Sequence, residues 1–242
     1  ANDNTAVGYN ALFANTTGTE NEAVGRNALD ANTPASNNIA LGSNSVGSNT
    51  TGASNVAVGY QALSANTTAN GNTAVGRKAL LVNTTGTYNT GLGREALYDN
   101  TTGAHNTAVG NASLANNTTA NNNCAFGSAT LNSNTDGTGN VAMGYAAGYS
   151  ITTADNCTFI GYSSGYENLS SNTTGVGAYA LDKNTTGSSN TAVGYYALKA
   201  NTTGSSNTAV GREALDANTT GAENTAVGYN ALGASNAGQC TA

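Results

Sequence analysis

The chain has 242 residues, of which 8% are charged, and its net charge is −6 with only seven Lys plus Arg. A globular enzyme carries about 25% charged residues, and with one His, one Pro and no Trp the ordinary stock of catalytic side chains is missing, so the sequence predicts neither an enzyme nor a cofactor. So few cations give no basic patch for nucleic acid, and no apolar run approaches the roughly 20 residues of a membrane span.

A glycine recurs at Gly8, Gly25, Gly42, Gly59, Gly76, Gly93, Gly110, Gly127, Gly144 and Gly161, always 17 residues apart, and after one 16-residue step at Gly177, Gly194, Gly211 and Gly228. These mark 14 units over about residues 4–240, a single repeat domain within 1–242. A disordered linker of this Asn, Thr and Gly content would need no regular aliphatic pair, yet each unit has one. The first anchor directly precedes the marker glycine: Val7, Val24, Leu41, Val58, Val75, Leu92, Val109, Phe126, Met143, Ile160, then Val to the end. Alternation with Thr and Ala over this short run predicts a strand with the Val side inward. The second anchor follows four residues after the glycine: Leu12, Leu29, Val46, Leu63, Leu80, Leu97, Leu114 and Leu131, resuming at Leu181, Leu198, Leu215 and Leu232. Units this short bury their anchors only by stacking. The prediction is an all-β fold, a parallel β-solenoid (β-roll or β-helix) of about 14 coils, turning at Asn-Thr-Thr-Gly. Asn15, Asn49, Asn66, Asn83 and Asn100 would form ladders between coils, and Val109→Asp should break the stack.

Within 144–177, Gly148 and Gly165 replace the Leu anchor, and Tyr149 and Tyr166 are expected to fill the lost volume. Cys124 lies three residues before Gly127 and Cys157 four before Gly161, two coils apart. The spacing of roughly 9–10 Å exceeds the roughly 7 Å that a disulfide spans. Cys124 is expected to be a buried thiol, and Cys240 the one available to another chain. Neither end shows a capping unit, as expected of a piece of a longer fibre or of head-to-tail polymerisation. A chain that starts at Ala1 inside the repeat, without a signal peptide, reads as a mature or trimmed product.

Two outward ladders are candidate binding surfaces. The position after the marker glycine holds Tyr9, Arg26, Tyr60, Arg77, Arg94, Tyr145, Tyr162, Tyr195, Arg212 and Tyr229, residue types enriched in binding hot spots. The turns hold Thr16 and Thr17, Thr50 and Thr51, Thr84 and Thr85, Thr202 and Thr203, and Thr219 and Thr220. A flat Thr array would suit ice, but adjacent residues of a strand face opposite ways, so these pairs read as turn chemistry. The same triplets are N-glycosylation sequons. His105 has no Cys or acidic cluster at metal-ligand spacing, and Asp136 and Asp155 read as solvated turn residues.

The segments Asn38-Ile39-Ala40-Leu41-Gly42 and Asn55-Val56-Ala57-Val58-Gly59 resemble the head repeats of trimeric autotransporter adhesins, although the unit here is longer. The units at 184–198 and 201–215 look like repeats of phage tail-fibre-like proteins that end in a self-cleaving chaperone domain. The resemblance implies a parallel β-roll, commonly trimeric, outside the cell or on a cell or virion surface. Three functional classes follow: an adhesin head or tail-fibre shaft, a subunit of a self-assembling filament, or a soluble solenoid that binds ice or carbohydrate. The expected partners are copies of the chain itself, as a trimer or a head-to-tail or lateral fibre, with a surface carbohydrate or host receptor for the adhesive reading.

Overall fold

The computed structural model describes residues 2–242. Among them are fourteen three-residue strands and no helix, divided between two compact units, Ala1–Asn122 and Asn123–Ala242. The first unit holds β1 (Thr5–Val7), β2 (Glu22–Val24), β3 (Ile39–Leu41), β4 (Val56–Val58), β5 (Thr73–Val75), β6 (Thr90–Leu92) and β7 (Thr107–Val109). The second holds β8 (Cys124–Phe126), β9 (Val141–Met143), β10 (Thr158–Ile160), β11 (Thr174–Val176), β12 (Thr191–Val193), β13 (Thr208–Val210) and β14 (Thr225–Val227). Within each unit successive strands pair in parallel and in chain order, with equivalent residues in register. Each unit is therefore a parallel β-solenoid.

Pairing continues well beyond the strands. In the coil 55–71, Val56 N–H donates to Asn72 C=O at 2.8 Å, Leu63 N–H to Ala79 C=O at 2.9 Å and Thr67 N–H to Thr84 C=O at 3.1 Å, while Gly59 N–H donates back to Leu41 C=O at 2.8 Å. The polar backbone is thus satisfied from coil to coil around the whole circumference. Gly59 has φ +134°, and a Cβ there would lie 2.6 Å from the carbonyl oxygen of Gly76. That close approach of successive coils requires a column of glycine.

Counting the Asn before each strand as position 1, the inward positions are 1, 3, 8, 9, 12 and 15, which in this coil are Asn55, Ala57, Ala62, Leu63, Asn66 and Ala69. The Leu ladder is buried as predicted, from Leu29 through Leu215. The Val ladder is not. Val7, Val24, Leu41, Leu92, Phe126, Met143, Ile160, Val193, Val210 and Val227 are exposed, and Val109 is half-buried on the same outer face. The inward strand residue is the Ala between, fully buried at Ala23, Ala40, Ala57, Ala74 and Ala108. The coil is too narrow for a larger side chain opposite Leu, so the small member of the alternation faces in.

Asparagine fills the rest of the interior. Asn49 Nδ2 donates to Asn32 Oδ1 at 3.0 Å and to Gly52 C=O at 2.8 Å, and Asn66 repeats this to Asn49 Oδ1 and Ala69 C=O. At position 1, Asn38 Oδ1 accepts from Asn55 N–H at 3.0 Å, while Asn55 Nδ2 donates to Ala69 C=O at 2.9 Å. These amides are paired on both their Nδ2 and Oδ1 sides, the condition for burying them without a penalty.

The second unit carries the irregular coils. Phe159 replaces the inward Ala in β10 and is fully buried. A Cβ at Gly148 would lie 3.3 Å from its ring, and one at Gly175 3.0 Å. A Cβ at Gly165 would overlap the ring. Phe159 therefore fills the space left by the missing Leu anchors, whereas Tyr149 and Tyr166, expected in that role, are half-buried at the surface. Ile151 takes an Asn place at position 12, and Cys157 and Thr173 take position 1. The single deletion falls in the turn 169–171, where Asn168 Nδ2 reaches Ser170 C=O, two residues on rather than three.

Cys157, not Cys124, is the buried thiol; Cys124 and Cys240 are half-exposed, and all three are free. The one-residue difference in spacing to the marker glycine separates them, because neighbouring residues of an extended segment face opposite ways. The C-terminal segment also departs from expectation. Thr225 N–H donates to Cys240 C=O and Val227 N–H to Ala242 C=O, each at 2.8 Å, and Asn236 Oδ1 accepts from Thr219 N–H at 2.8 Å. Residues 236–242 thus cover part of the last coil, where an open edge was expected. Ser235 stands where an Asn would continue the inner ladder, and Asn218 Oδ1 is left without a hydrogen-bond partner.

Candidate functional site

Three outward columns are candidate binding surfaces. The first is the apolar column at position 4, one residue before the marker glycine. Register places Phe126 beside Met143, Met143 beside Ile160 and Val193 beside Val210, so in the second unit the column is continuous. Its exposed members there are 36–61% accessible.

The second column is the Tyr/Arg ladder at position 6, and every residue named for it in the sequence is exposed. In the first unit Arg77 and Arg94 converge on Glu95, at 3.1 and 3.3 Å. In the second, Tyr145 and Tyr162 stack at 5.3 Å, and the Arg212 guanidinium lies 5.7 Å from the rings of both Tyr195 and Tyr229. Its hydrogen bond with Glu213 raises the Arg212 pKa further. The structure adds residues that the sequence reading did not single out. Tyr179 meets Tyr162 edge-on at 5.4 Å, Tyr196 stacks on Tyr195 at 3.8 Å, and Lys199 Nζ lies 3.9 Å from the Tyr196 ring centroid. The hydrogen bond of Tyr195 to Tyr196, followed by desolvation, pushes the Tyr195 phenol up. Tyr179 and Tyr196 occupy position 7, next to the ladder, a signal available in the sequence.

The third column is threonine. Neither residue of a pair turns inward: Thr17, Thr51, Thr85, Thr203 and Thr220 are exposed, and Thr16, Thr50, Thr84, Thr202 and Thr219 exposed or half-buried. The first hydroxyl of a pair donates to the next coil, as from Thr50 to Thr67 C=O at 3.1 Å and from Thr202 to Thr219 C=O at 3.0 Å. The sequon Asn residues beneath them, Asn49 through Asn218, are buried with their Nδ2 groups engaged.

Elsewhere His105 stacks on Tyr88 at 5.3 Å, and the described residues include no group of three or more His, Cys, Asp or Glu placed to hold a metal. Asp155 Oδ1 accepts from Thr138 N–H at 2.6 Å and Thr138 Oγ1 at 3.0 Å, so it pins a turn and is not merely solvated. Burial pushes the Cys157 thiol up. A recess of about 320 Å³ in the first unit is lined by Glu95, Tyr98, Asp99, Ala115 and Asn116; it was not foreseen, because it depends on which side chains the stacking sets side by side. Among the described residues no helix is long and apolar enough to cross a membrane. No family model matches the chain, and no curated protein matches it.

Proposed function

We propose that the chain is a non-enzymatic structural and adhesive β-solenoid element of an extracellular fibre, and that it associates with copies of itself through the apolar column of the strand face. The observation that carries this reading is the Phe126–Val227 column, where six large aliphatic or aromatic residues face solvent. Together they expose on the order of 400 Å² of apolar surface, within the range of the largest patch of an ordinary monomer and commonly functional. Aliphatic residues aligned on the outer face of a parallel sheet suit packing against a like face about 10 Å away. The resemblance of the strand motifs to adhesin-head and tail-fibre repeats supports the same reading and the extracellular setting.

Sedimentation velocity tests it. The wild-type chain should sediment as an oligomer, and Met143→Lys with Val193→Lys should shift it toward the 23.9 kDa monomer while circular dichroism is preserved. A wild-type chain that stays monomeric at high concentration would sink the proposal.

A further inference from the structure

Position 10, directly after the Leu anchor, holds an aromatic ring in both units, with different neighbours. In the second unit Tyr149 and Tyr166 occupy it in consecutive coils and stack at 5.1 Å with a 10° interplanar angle. In the first unit Tyr98 is followed one coil later by Ala115, with the register fixed by Asp99 N–H donating to Ala115 C=O at 2.9 Å. Where the second unit has a second ring, the first has the recess of about 320 Å³, at the small end of ligand pockets.

The charges around it select among occupants. Glu95 is held by Arg77 and Arg94, and Lys78 Nζ lies 5.8 Å from the Tyr98 ring centroid. With the Glu95 charge already answered by two guanidinium groups, a cationic guest gains little from the lining. An aromatic guest would match Tyr98 but would strip water from Asp99 and give back at most one hydrogen bond, from a phenolic hydroxyl; desolvation already raises the Asp99 pKa. A pyranose has an apolar C–H face for the tyrosine ring and hydroxyls that donate to carboxylates and bond with an amide. We infer that the recess is a binding site for a single neutral pyranose, the sugar ring taking against Tyr98 the place that Tyr166 takes against Tyr149. The site uses positions 7, 10 and 11 of the coil and does not depend on self-association through position 4.

The test is an NMR titration of the intact chain with glucose, galactose, mannose and N-acetylglucosamine in turn, following the Tyr98 ring resonances and the backbone amides of Asp99 and Asn116, the latter being the readout in Tyr98→Ser, with p-cresol as the aromatic rival. At least one sugar should shift Tyr98 with a Kd on the order of 1–10 mM, as expected for a small ligand stacked on one face. Ala115→Tyr rebuilds the second ring of the other unit, and should weaken sugar binding at least about tenfold while keeping the melting temperature, a loss of at least about 1.4 kcal/mol of binding free energy. Tyr98→Ser and Asp99→Asn give the same reading should Ala115→Tyr misfold: the first should abolish binding and the second weaken it several-fold. The inference fails if no sugar shifts Tyr98 up to about 50 mM, if binding persists in Ala115→Tyr or Tyr98→Ser, or if p-cresol binds more tightly than every sugar.

Discussion

The coil 72–88 and the coil 157–172 close around similar interiors with different atoms. In the first, Ala74 and Leu80 face each other across the coil, both fully buried. In the second, Phe159 stands for the Ala and Gly165 for the Leu, and the ring is accommodated because Gly148 in the coil before and Gly175 in the coil after also lack a Cβ. The space for the ring is therefore drawn from three consecutive coils, not from one. The polar interior differs in parallel. Asn72 and Asn83 sit in unbroken amide ladders, whereas Cys157 and Ile151 interrupt theirs.

Removing the ring should have the largest effect. Phe159→Ala leaves a cavity that three glycines cannot close, and should cost about 3–5 kcal/mol in urea denaturation. Transplanting the ring is the sharper experiment. Ala74→Phe alone overpacks a regular coil and should cost about 1–3 kcal/mol. Gly91 already stands where Gly175 does, one coil after the strand in question. Adding Leu63→Gly and Leu80→Gly completes the arrangement, and the triple variant should be more stable than either Ala74→Phe alone or the Leu63→Gly/Leu80→Gly pair. Additive losses would show that the exchange of volume between coils is incidental.

A smaller loss is expected from breaking an amide ladder in the regular region. Asn66→Ala removes the donor to Asn49 Oδ1 and leaves that buried oxygen unpaired, at about 1–3 kcal/mol, again read by urea denaturation. If Asn66→Ala were neutral, the amide ladders would be a by-product of composition and not a source of stability.

These same residues mark how far the sequence could be read. The period, the coil, the Leu ladder and the Asn ladders were legible because each repeats in phase. The facing of Val109 was not: in a three-residue strand Thr-Ala-Val, alternation is equally consistent with Ala inward or Val inward, and only the distance to the opposite wall decides. Val109→Asp, which the sequence reading expects to break the stack, should on the observed geometry keep the fold, since the side chain lies on the outer face. Phe159 and its three glycines were all visible, yet they lie in three different coils and become neighbours only once the coils are stacked. The Tyr98 recess was hidden for the same reason, since Ala115 meets Tyr98 only through stacking.

The smallest effect concerns the Leu anchor itself. Leu29, Leu63, Leu80 and Leu97 all sit at φ of +49 to +53°, and Val46 occupies the same position at φ +49°. Left-handed backbone costs an L-residue roughly 1–2 kcal/mol, and it suits a β-branched side chain least because the second Cγ crowds the backbone. Gly148 and Gly165 hold this position at +60° and +61°, where the strain is absent but the buried side chain is lost too. Val46→Leu keeps the side chain, removes the branch and adds a methylene to the ladder, worth about 0.8 kcal/mol when buried. The adjoining Ser45, which donates to Gly42 C=O at 2.8 Å, does not stand in the way, because Ser113 precedes Leu114 in the same arrangement, both fully buried. The variant should therefore gain about 1 kcal/mol and a slightly higher melting temperature. A loss of stability in Val46→Leu would mean that the coil around Val46 is narrower than its neighbours, and that volume is adjusted coil by coil even in the regular region.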